Sequence, residues 1–225
     1  MPSDGGVLAA VLARGVAPAG CVLAVDSDAA AVSECAAQPR PGRLGSLHCV
    51  RAEPTTAPLG RGCVDVAASL FTLAHCADPT AVLASAAGAL RSSGRLAMAA
   101  WSLAAAAPHL AVVEAALRRV AAADTDRLAR ALSLGEPGVL EALATRAGVR
   151  GTRVLRLRDV ARFDGIDHLL AAVAPQLDAS AAAHVEIRGE VGAALAGYTA
   201  SDGTLLLPVE AAVLVRGELS LPSGS

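Results

Sequence analysis

The chain has 225 residues, a formal net charge of −2 and a hydrophobic content of 54%. This length suits one domain, or one domain with a cap, and the apolar content excludes intrinsic disorder as the main state. The isoelectric point near 6.2 gives no electrostatic reason to expect a nucleic acid or an anionic membrane surface as a partner.

Strands and helices alternate through the first 100 residues. Apolar runs predict strands at 21–25, 47–50, 64–68 and 95–101, and helices are predicted at 7–14, 28–37 and 79–90. Ser27 or Asp28 is expected to cap the second helix, Asp78-Pro79 opens the third, and Ser92-Ser93-Gly94 is predicted to be a turn. Continuous apolar strands that alternate with helices predict a doubly wound α/β domain with a mostly parallel sheet.

Helices dominate the second half of the chain. They are predicted at 108–123, 126–132, 137–147, 166–173 and 180–195, with a strand at 154–158 and two closing strands, 205–207 and 211–215, on either side of Pro208. The uncharged stretch from Leu96 to Val113 is interpreted as a strand followed by a buried helix, because its Ser, Pro and many Ala residues weaken the case for a membrane span. We therefore divide the chain into an α/β half (1–102), a helical cap with closing strands (103–218) and a flexible tail (219–225).

The five cysteines show no C-x-x-C spacing, and their number is odd. We therefore expect neither a zinc site nor a disulfide framework, and no other metal site is predicted. Reduced thiols and the absence of a signal-peptide pattern in the first six residues point to a cytoplasmic location.

Asp26 is the strongest single functional signal. It follows an apolar strand and precedes a helix, a position where a carboxylate can accept the hydroxyl protons of a ribose. Because Ser27 and Asp28 can cap the helix, Asp26 is left for a ligand. Gly5 and Gly6 precede the first helix, where a glycine turn lets backbone N–H groups approach a ligand closely.

Short motifs follow one another in a set order: Gly5-Gly6-Val7-Leu8-Ala9, Val22 to Ser27, Val64-Asp65-Val66, His75 with Asp78-Pro79, and Leu90 to Leu96. Leu140 to Val149, Tyr198 with Asp202-Gly203, and Leu207-Pro208 come later in the chain. In order and spacing, they resemble a class I S-adenosylmethionine-dependent methyltransferase, most closely the type-11 small-molecule group. The resemblance covers nearly the whole chain and implies a Rossmann-like sheet with helical cap segments.

The resemblance also implies the role of each matching residue. S-adenosylmethionine is the implied cofactor, with Gly5 and Gly6 beside its methionine part and Asp26-Ser27 at its ribose. Ala52 and Glu53 fall beside the adenine, whereas Ser69 and Leu70 fall beside the methionine moiety and the transferring methyl group. His75 falls on a histidine that commonly follows them, and it is the candidate catalytic residue.

Three departures from the family pattern are visible. The chain begins within the glycine-rich loop, so the implied sheet lacks its usual first strand, and we expect either coding sequence upstream or a degenerate, partner-dependent form. Arg51 stands where an acidic residue usually meets the adenine amino group. Ser92-Ser93 replaces the customary Pro-Gly before Gly94.

Methyl transfer asks little of the protein, because holding acceptor, methyl carbon and sulfur in line supplies most of the effect. A base helps when the acceptor must lose a proton, and His75 and His109 are the candidates, although a packing role is the commoner one for such histidines.

Acceptor recognition is assigned to 103–150 and 159–205, with Trp101, Phe163 and Tyr198 as candidate substrate contacts. The Arg-rich segment 150–162 either attracts an acidic acceptor or forms a solvated strand edge.

The predicted function is S-adenosylmethionine-dependent methyl transfer to a small-molecule acceptor by in-line displacement. The alternative is a non-catalytic relative that keeps the fold as a binding or regulatory module. A nicotinamide-dependent oxidoreductase is disfavoured, because no G-x-G-x-x-G precedes Val7 and the chain has no Lys for a Tyr-x-x-x-Lys pair. The expected partner is a small molecule rather than a nucleic acid or a membrane, and a homodimer is left open.

Overall fold

A computed structural model describes residues 6–38, 46–57, 59–103, 106–120, 126–173 and 181–217. In this part of the chain, the helices are α1 (Val7–Gly15), α2 (Ala29–Ala37), α3 (Pro79–Ala89), α4 (Pro108–Val120), α5 (Asp126–Ser133), α6 (Val139–Arg146), α7 (Ile166–Val173) and α8 (Ala181–Ala194). The strands are β1 (Cys21–Asp26), β2 (Ser46–Arg51), β3 (Val64–Leu70), β4 (Leu90–Trp101), β5 (Thr152–Phe163) and β6 (Leu205–Arg216). The α/β class predicted from the sequence is confirmed.

The strands form two sheets. β1 and β2 pair in parallel, in a register that runs from Cys21 opposite Ser46 to Asp26 opposite Arg51. The second sheet has the strand order β3-β4-β6-β5. Among the described residues no strand precedes α1, and β1 and β3 are edge strands of separate sheets, which is consistent with a Rossmann-like sheet that lacks its first strand.

Hydrogen bonds at the strand ends give the directions in the second sheet. Just before β3 and β4 begin, the Cys63 N–H donates to the Ala89 carbonyl at 2.8 Å, so these two strands run in the same direction. β6 runs opposite to β4, because the Ser102 N–H donates to Glu210 O at 3.0 Å and Arg216 reaches the Ser92 carbonyl at 3.5 Å. The sheet is therefore mixed, with an antiparallel closing strand.

Two aspartates begin the helices beside the candidate site, as their sequence positions predict. The Asp28 side chain accepts from the Ala30 N–H at 2.8 Å and caps α2. Asp78 accepts from the Ala81 N–H at 2.9 Å and caps α3, whose first residue is Pro79. Both caps satisfy backbone donors that a helix start leaves without intrahelical partners.

Two predicted breaks are wrong, because each lies inside a strand. Ser92-Ser93-Gly94 belongs to β4, which starts at Leu90. Pro208 lies within β6, which is continuous rather than two strands. Pairing with distant strands overrides the local turn preference of serine and glycine, and proline keeps a φ that extended backbone accepts.

The chain divides into two compact units. Unit 1 comprises 1–98, 143–153 and 215–225, and unit 2 comprises 99–142 and 154–214. Within unit 1, Ala9, Ala13, Cys35 and Leu47 form a small core. The core of unit 2 is rich in large aliphatic side chains and includes Leu110, Val113, Leu117, Leu169, Ile187, Val191, Leu195, Leu205 and Leu207.

Candidate functional site

Asp26 is the last residue of β1 and is half-buried. Its Oδ1 accepts a hydrogen bond from the Asp28 N–H at 2.9 Å, which orients the carboxylate at the carboxyl end of the strand. Its backbone carbonyl accepts from the Ala52 N–H at 2.9 Å, so the loops after β1 and β2 are joined at this point. Ligands of parallel α/β sheets bind at this edge.

The loop residues around Asp26 differ in exposure. Ser27 and Glu53 are exposed, whereas Ala52 is half-buried. Arg51 Nε donates to the Ser27 carbonyl at 3.1 Å, so a guanidinium group lies at the ends of both strands. This position favours hydrogen-bond acceptors, since a guanidinium has donors only.

Cys76 reveals that a third segment approaches the same edge. Burial is the main cause that raises the pKa of the Cys76 thiol, and the negative charges of Glu53 and Asp26 raise it further. Cys76 follows a 3-10 turn, Thr72–His75, which comes shortly after β3. The segments after β1, β2 and β3 therefore converge, and sequence reasoning missed Cys76 because a cysteine without a spaced partner carries no local signal.

Polar and strained groups lie at the end of β3. The Ser69 hydroxyl oxygen is buried and has no hydrogen-bond partner among the described residues, an arrangement that folded proteins rarely leave unexplained. Leu70 is exposed, and the next residue, Phe71, adopts a left-handed φ of 56°. Such backbone strain in a non-glycine residue is enriched at ligand sites. His75 is half-buried at the end of the 3-10 turn.

Gly6 begins α1 with a φ of 86° and is buried. A Cβ atom added there would lie 2.8 Å from Cys35 Sγ, so both the backbone angle and the space require glycine. Gly5 lies outside the described residues, so its predicted role stays a prediction.

An aromatic cluster in unit 2 brings together two of the three predicted substrate contacts. The His109 ring meets Trp101 edge-on at 5.2 Å between centroids and lies 6.3 Å from Phe163, which contacts His168 at 5.7 Å. Tyr198 is 40% exposed in a separate turn, Ala196–Tyr198, and does not join these described ring contacts.

His109 is the polar member of this aromatic cluster. It is 4% exposed, and its Nδ1 has no hydrogen-bond partner in the described part of the chain. Burial lowers its pKa to about 4, because desolvation penalises the charged imidazolium. The ring is therefore neutral at physiological pH.

A second polar cluster in unit 2 surrounds Glu210, which is 8% exposed. The Ser102 hydroxyl donates to Oε1 at 2.5 Å, Arg158 Nε donates to Oε2 at 2.6 Å, and Arg156 donates to the Ser102 hydroxyl at 2.6 Å. The Ser102 hydrogen bond, followed by that of Arg158, holds the pKa of Glu210 below its ordinary value. Two arginines of the Arg-rich segment therefore interact with the buried carboxylate of Glu210.

The part of the chain that contains this edge is similar to a known protein family. A family model described as a methyltransferase domain, type 11, matches residues 3–98. Over these residues, which are less than half of the chain, the protein is similar to methyltransferase domains. The matched range contains every cofactor-binding residue predicted from the sequence, from Gly5 to Leu70.

One curated relative of this chain is an uncharacterized 37.1 kDa protein of transposon TN4556 from Streptomyces fradiae. It is 34% identical over 154 residues, which are 67% of this chain and 42% of that protein. The chain thus matches less than half the length of that relative.

Solved structures share the fold. A protein of Bacillus halodurans C-125 that is described as a candidate methyltransferase matches with a TM-score of 0.61 and 12% identity. The match covers 95% of this chain and 88% of that chain. The YcgJ protein of Bacillus subtilis gives a TM-score of 0.57, 10% identity and coverage of 88% and 82%. An arsenic(III) S-adenosylmethionine methyltransferase of Chlamydomonas reinhardtii gives 0.54, 17% identity and coverage of 98% and 62%.

Unit 2 also contains a cavity. A cavity of about 390 Å³ is lined by apolar and charged groups from and around α4 and α5: Leu103, Glu114, Arg118, Ala129, Leu132, Ser133 and Glu136. Within the described ranges, no helix is long and apolar enough to cross a bilayer. Those ranges also hold no group of three or more His, Cys, Asp or Glu side chains that could bind a metal ion.

Proposed function

We propose that this chain transfers the methyl group of S-adenosylmethionine to a small-molecule acceptor by in-line displacement. The family match over 3–98 supports this function. The observation that carries it is the position of Asp26 at the end of β1, where the Asp28 N–H orients its carboxylate and the Ala52 N–H joins its carbonyl to the loop after β2, both at 2.9 Å. That edge lies at the carboxyl ends of two parallel strands, where nucleotide-like ligands bind.

The residues at this edge fit the proposed cofactor. A carboxylate has about four lone-pair sites, so Asp26 can accept from a ribose diol beside the Asp28 N–H. The buried Ser69 hydroxyl, with no partner among the described residues, suits a polar group of the methionine part. Because Gly6 has no side chain, a ligand can approach the backbone at the start of α1 closely. Ser27, Ala52 and Glu53 complete the proposed contacts with the nucleoside part of the cofactor.

S-adenosylmethionine, when bound, supplies a methyl group already activated by its sulfonium charge. The chain's own task is then to bind and orient, which supplies much of the catalytic effect in such reactions. For an acceptor that must lose a proton, we assign the role of base to His75, since an imidazole is half-deprotonated near neutral pH in its unperturbed state.

We assign acceptor recognition to unit 2. The rings of Trp101 and Phe163 lie 5.2 and 6.3 Å from that of the neutral His109, between centroids, and a cavity of about 390 Å³ lined by apolar and charged groups lies at α4 and α5. Aromatic side chains with a few polar groups are typical of small-molecule sites. We also propose Tyr198 as a third substrate contact. We further propose that the chain divides at residue 102 into a cofactor-binding half and a helical cap.

One observation favours a second function, a non-catalytic member of the family that acts as a binding or regulatory module. Arg51 places a guanidinium group 3.1 Å from the Ser27 carbonyl, beside the proposed adenine position. A guanidinium cannot accept a hydrogen bond from the adenine amino group, so this residue weakens the expected recognition.

Calorimetric titration with S-adenosylhomocysteine distinguishes the two functions. The 225-residue chain is expected to bind, and Asp26→Asn is expected to weaken binding by about 1–3 kcal/mol, or about 5–150-fold, because it removes charge-assisted hydrogen bonds. Asp159→Asn is the control, since Asp159 is an exposed carboxylate of unit 2.

Two contrary results of this titration would lead to different conclusions. No heat from the unaltered chain at millimolar ligand would support the non-catalytic function. Equal affinity of the Asp26→Asn variant and the unaltered chain would contradict the assignment of Asp26 to the ribose while leaving the function open to other contacts.

A further inference from the structure

Two thiols of unit 1 lie unusually close together. Cys49 Sγ donates a hydrogen bond to Cys35 Sγ, and the two sulfur atoms are 2.9 Å apart. Two carbon atoms, which are smaller than sulfur, are in optimal contact at about 3.5–4.0 Å. The two residues are 14 positions apart in the chain.

Their surroundings hold the two sulfur atoms against each other. Cys35 of α2 is 3% exposed, and it belongs to the small core that includes Ala9, Ala13 and Leu47. Cys49 of β2 is half-buried and packs against the same core. On another side, the Gly6 turn approaches Cys35 so closely that an added Cβ would lie 2.8 Å from its sulfur. The Cys35 side chain therefore has little room to turn away from Cys49.

We propose that Cys35 and Cys49 form a redox-active dithiol site that takes a hydroperoxide as oxidant and closes a disulfide between α2 and β2. This site lies outside the proposed methyl-transfer chemistry and does not depend on it. Cys35 lies in α2 and Cys49 lies in β2, so the bond would link this helix covalently to the strand.

The chemistry balances in two steps. The thiolate of Cys49, the more accessible of the two, attacks the terminal oxygen of the hydroperoxide, breaks the O–O bond and becomes a sulfenic acid. The other oxygen leaves and takes up a proton, as water from hydrogen peroxide or as an alcohol from an organic hydroperoxide. The Cys35 sulfur then attacks the sulfenic sulfur, forms the S–S bond and releases water. The two thiols lose two electrons, and the peroxide gains them.

The other three cysteines provide internal comparisons. Cys21 and Cys63 are exposed, so they meet oxidant readily, but neither has a thiol contact among the described residues. Cys76 is half-buried, and burial and two nearby carboxylates raise the pKa of its thiol, which lowers its thiolate fraction. Selective pairing of Cys35 with Cys49 would therefore reflect geometry rather than exposure.

Peptide mapping tests the pairing directly. The full chain is treated with hydrogen peroxide at a few molar equivalents, free thiols are alkylated, and the protein is digested with trypsin without reduction. Because no Arg lies between Cys21 and Cys35, the mapping uses the Cys21→Ser variant, in which the peptide holding Cys35 has one cysteine. We expect a linked pair of the Cys35 and Cys49 peptides that separates on reduction with dithiothreitol.

Thermal unfolding supplies a second readout. A disulfide that closes a loop of about 15 residues is expected to raise the Tm of the peroxide-treated chain by about 5–10 °C over the reduced chain. Cys49→Ala, which keeps an apolar side chain in the core, should remove both the linked peptide and the Tm difference. Cys63→Ser, the matched control, should retain both.

Two outcomes would overturn the proposal. One is that Cys35 and Cys49 are each alkylated after peroxide treatment while the protein stays folded. The other is that Cys35 links to Cys63 or Cys76 as often as to Cys49. Neither readout involves S-adenosylhomocysteine, so failure here and failure of the methyl-transfer proposal are separate results.

Discussion

Two core clusters, one in each compact unit of this chain, differ in the size of their side chains. In unit 1, the cluster around α1 and α2 consists of Ala9, Ala13, Cys35 and Leu47, which are mostly small side chains. Unit 2 buries a larger set of leucine, valine and isoleucine side chains, several of them with no exposed surface. Because apolar burial stabilises by about 25 cal/mol per Å², the cluster around α1 and α2 is expected to contribute less than the large cluster of unit 2.

The units also differ in where they keep ionisable groups. In unit 1, Asp26 is half-buried and Glu53 is exposed, as expected of groups that we propose to contact a ligand. In unit 2, His109 and Glu210 are buried within the fold. Changes of pH should therefore act more strongly on unit 2, whose unfolding the single tryptophan, Trp101, reports by fluorescence.

The largest expected effect comes from truncating a core leucine in each unit. Leu195→Ala in unit 2, at a residue with 0% exposure, should cost about 4–5 kcal/mol of unfolding free energy because dense neighbours cannot fill the cavity. Leu47→Ala in unit 1, where the neighbours are small and fewer contacts are lost, should cost about 2–3 kcal/mol. Urea unfolding followed by fluorescence and circular dichroism measures both.

The exposed Leu206 supplies the control for this pair. Leu206→Ala should change the unfolding free energy by less than about 0.5 kcal/mol, since surface changes seldom do more. A loss at Leu47 equal to or larger than that at Leu195 would contradict the contrast between the two cores.

The next effect is the pH dependence produced by His109. Its folded pKa of about 4 lies below the ordinary 6.5, so the unfolded chain binds the proton more readily and stability falls as the pH drops from 6.5 to 4. The total loss is about 3 kcal/mol by linkage. His109→Phe should remove this loss, whereas replacement of the exposed His168 by Gln should retain it; urea unfolding between pH 4 and 7 compares them.

The smallest of the three effects belongs to Glu210. Glu210→Gln should cost about 1.5–3 kcal/mol at pH 7, because it weakens hydrogen bonds to Ser102 and Arg158. The folded pKa is depressed, so this stabilisation is present above the ordinary pKa of 4.5 and disappears as the pH falls through the lower folded value.

Unfolding of the Glu210→Gln variant and the unaltered chain should therefore converge at acid pH. Glu186→Gln, at an exposed position of α8, is the control and should follow the unaltered chain at every pH. A gap between Glu210→Gln and the unaltered chain that stays constant down to pH 3 would show that the carboxylate charge has no part in it.

Sequence reasoning succeeded where the cause is local. The Asp28 and Asp78 caps, the apolar strand before Asp26 and the helix after it depend on residues within a few positions of one another. It failed at Ser92 to Gly94 and at Pro208, because those residues pair with strands far away in the chain. It also gave His109 little weight, since nothing near it in sequence announces contacts with Trp101 and Phe163.

The sequence by itself determined the α/β alternation, the placement of Asp26 at a strand end and the resemblance to a methyltransferase family. Periodicity and short motifs depend only on residues that are close together in the chain. Only the tertiary structure decided that Cys76 approaches Asp26 and Glu53, that Cys35 meets Cys49, and that Glu210 is held by Ser102 and Arg158. Each of these contacts joins residues from different elements. Chain folding rather than local propensity sets such distances, and burial and charge change chemistry only once the distance is set.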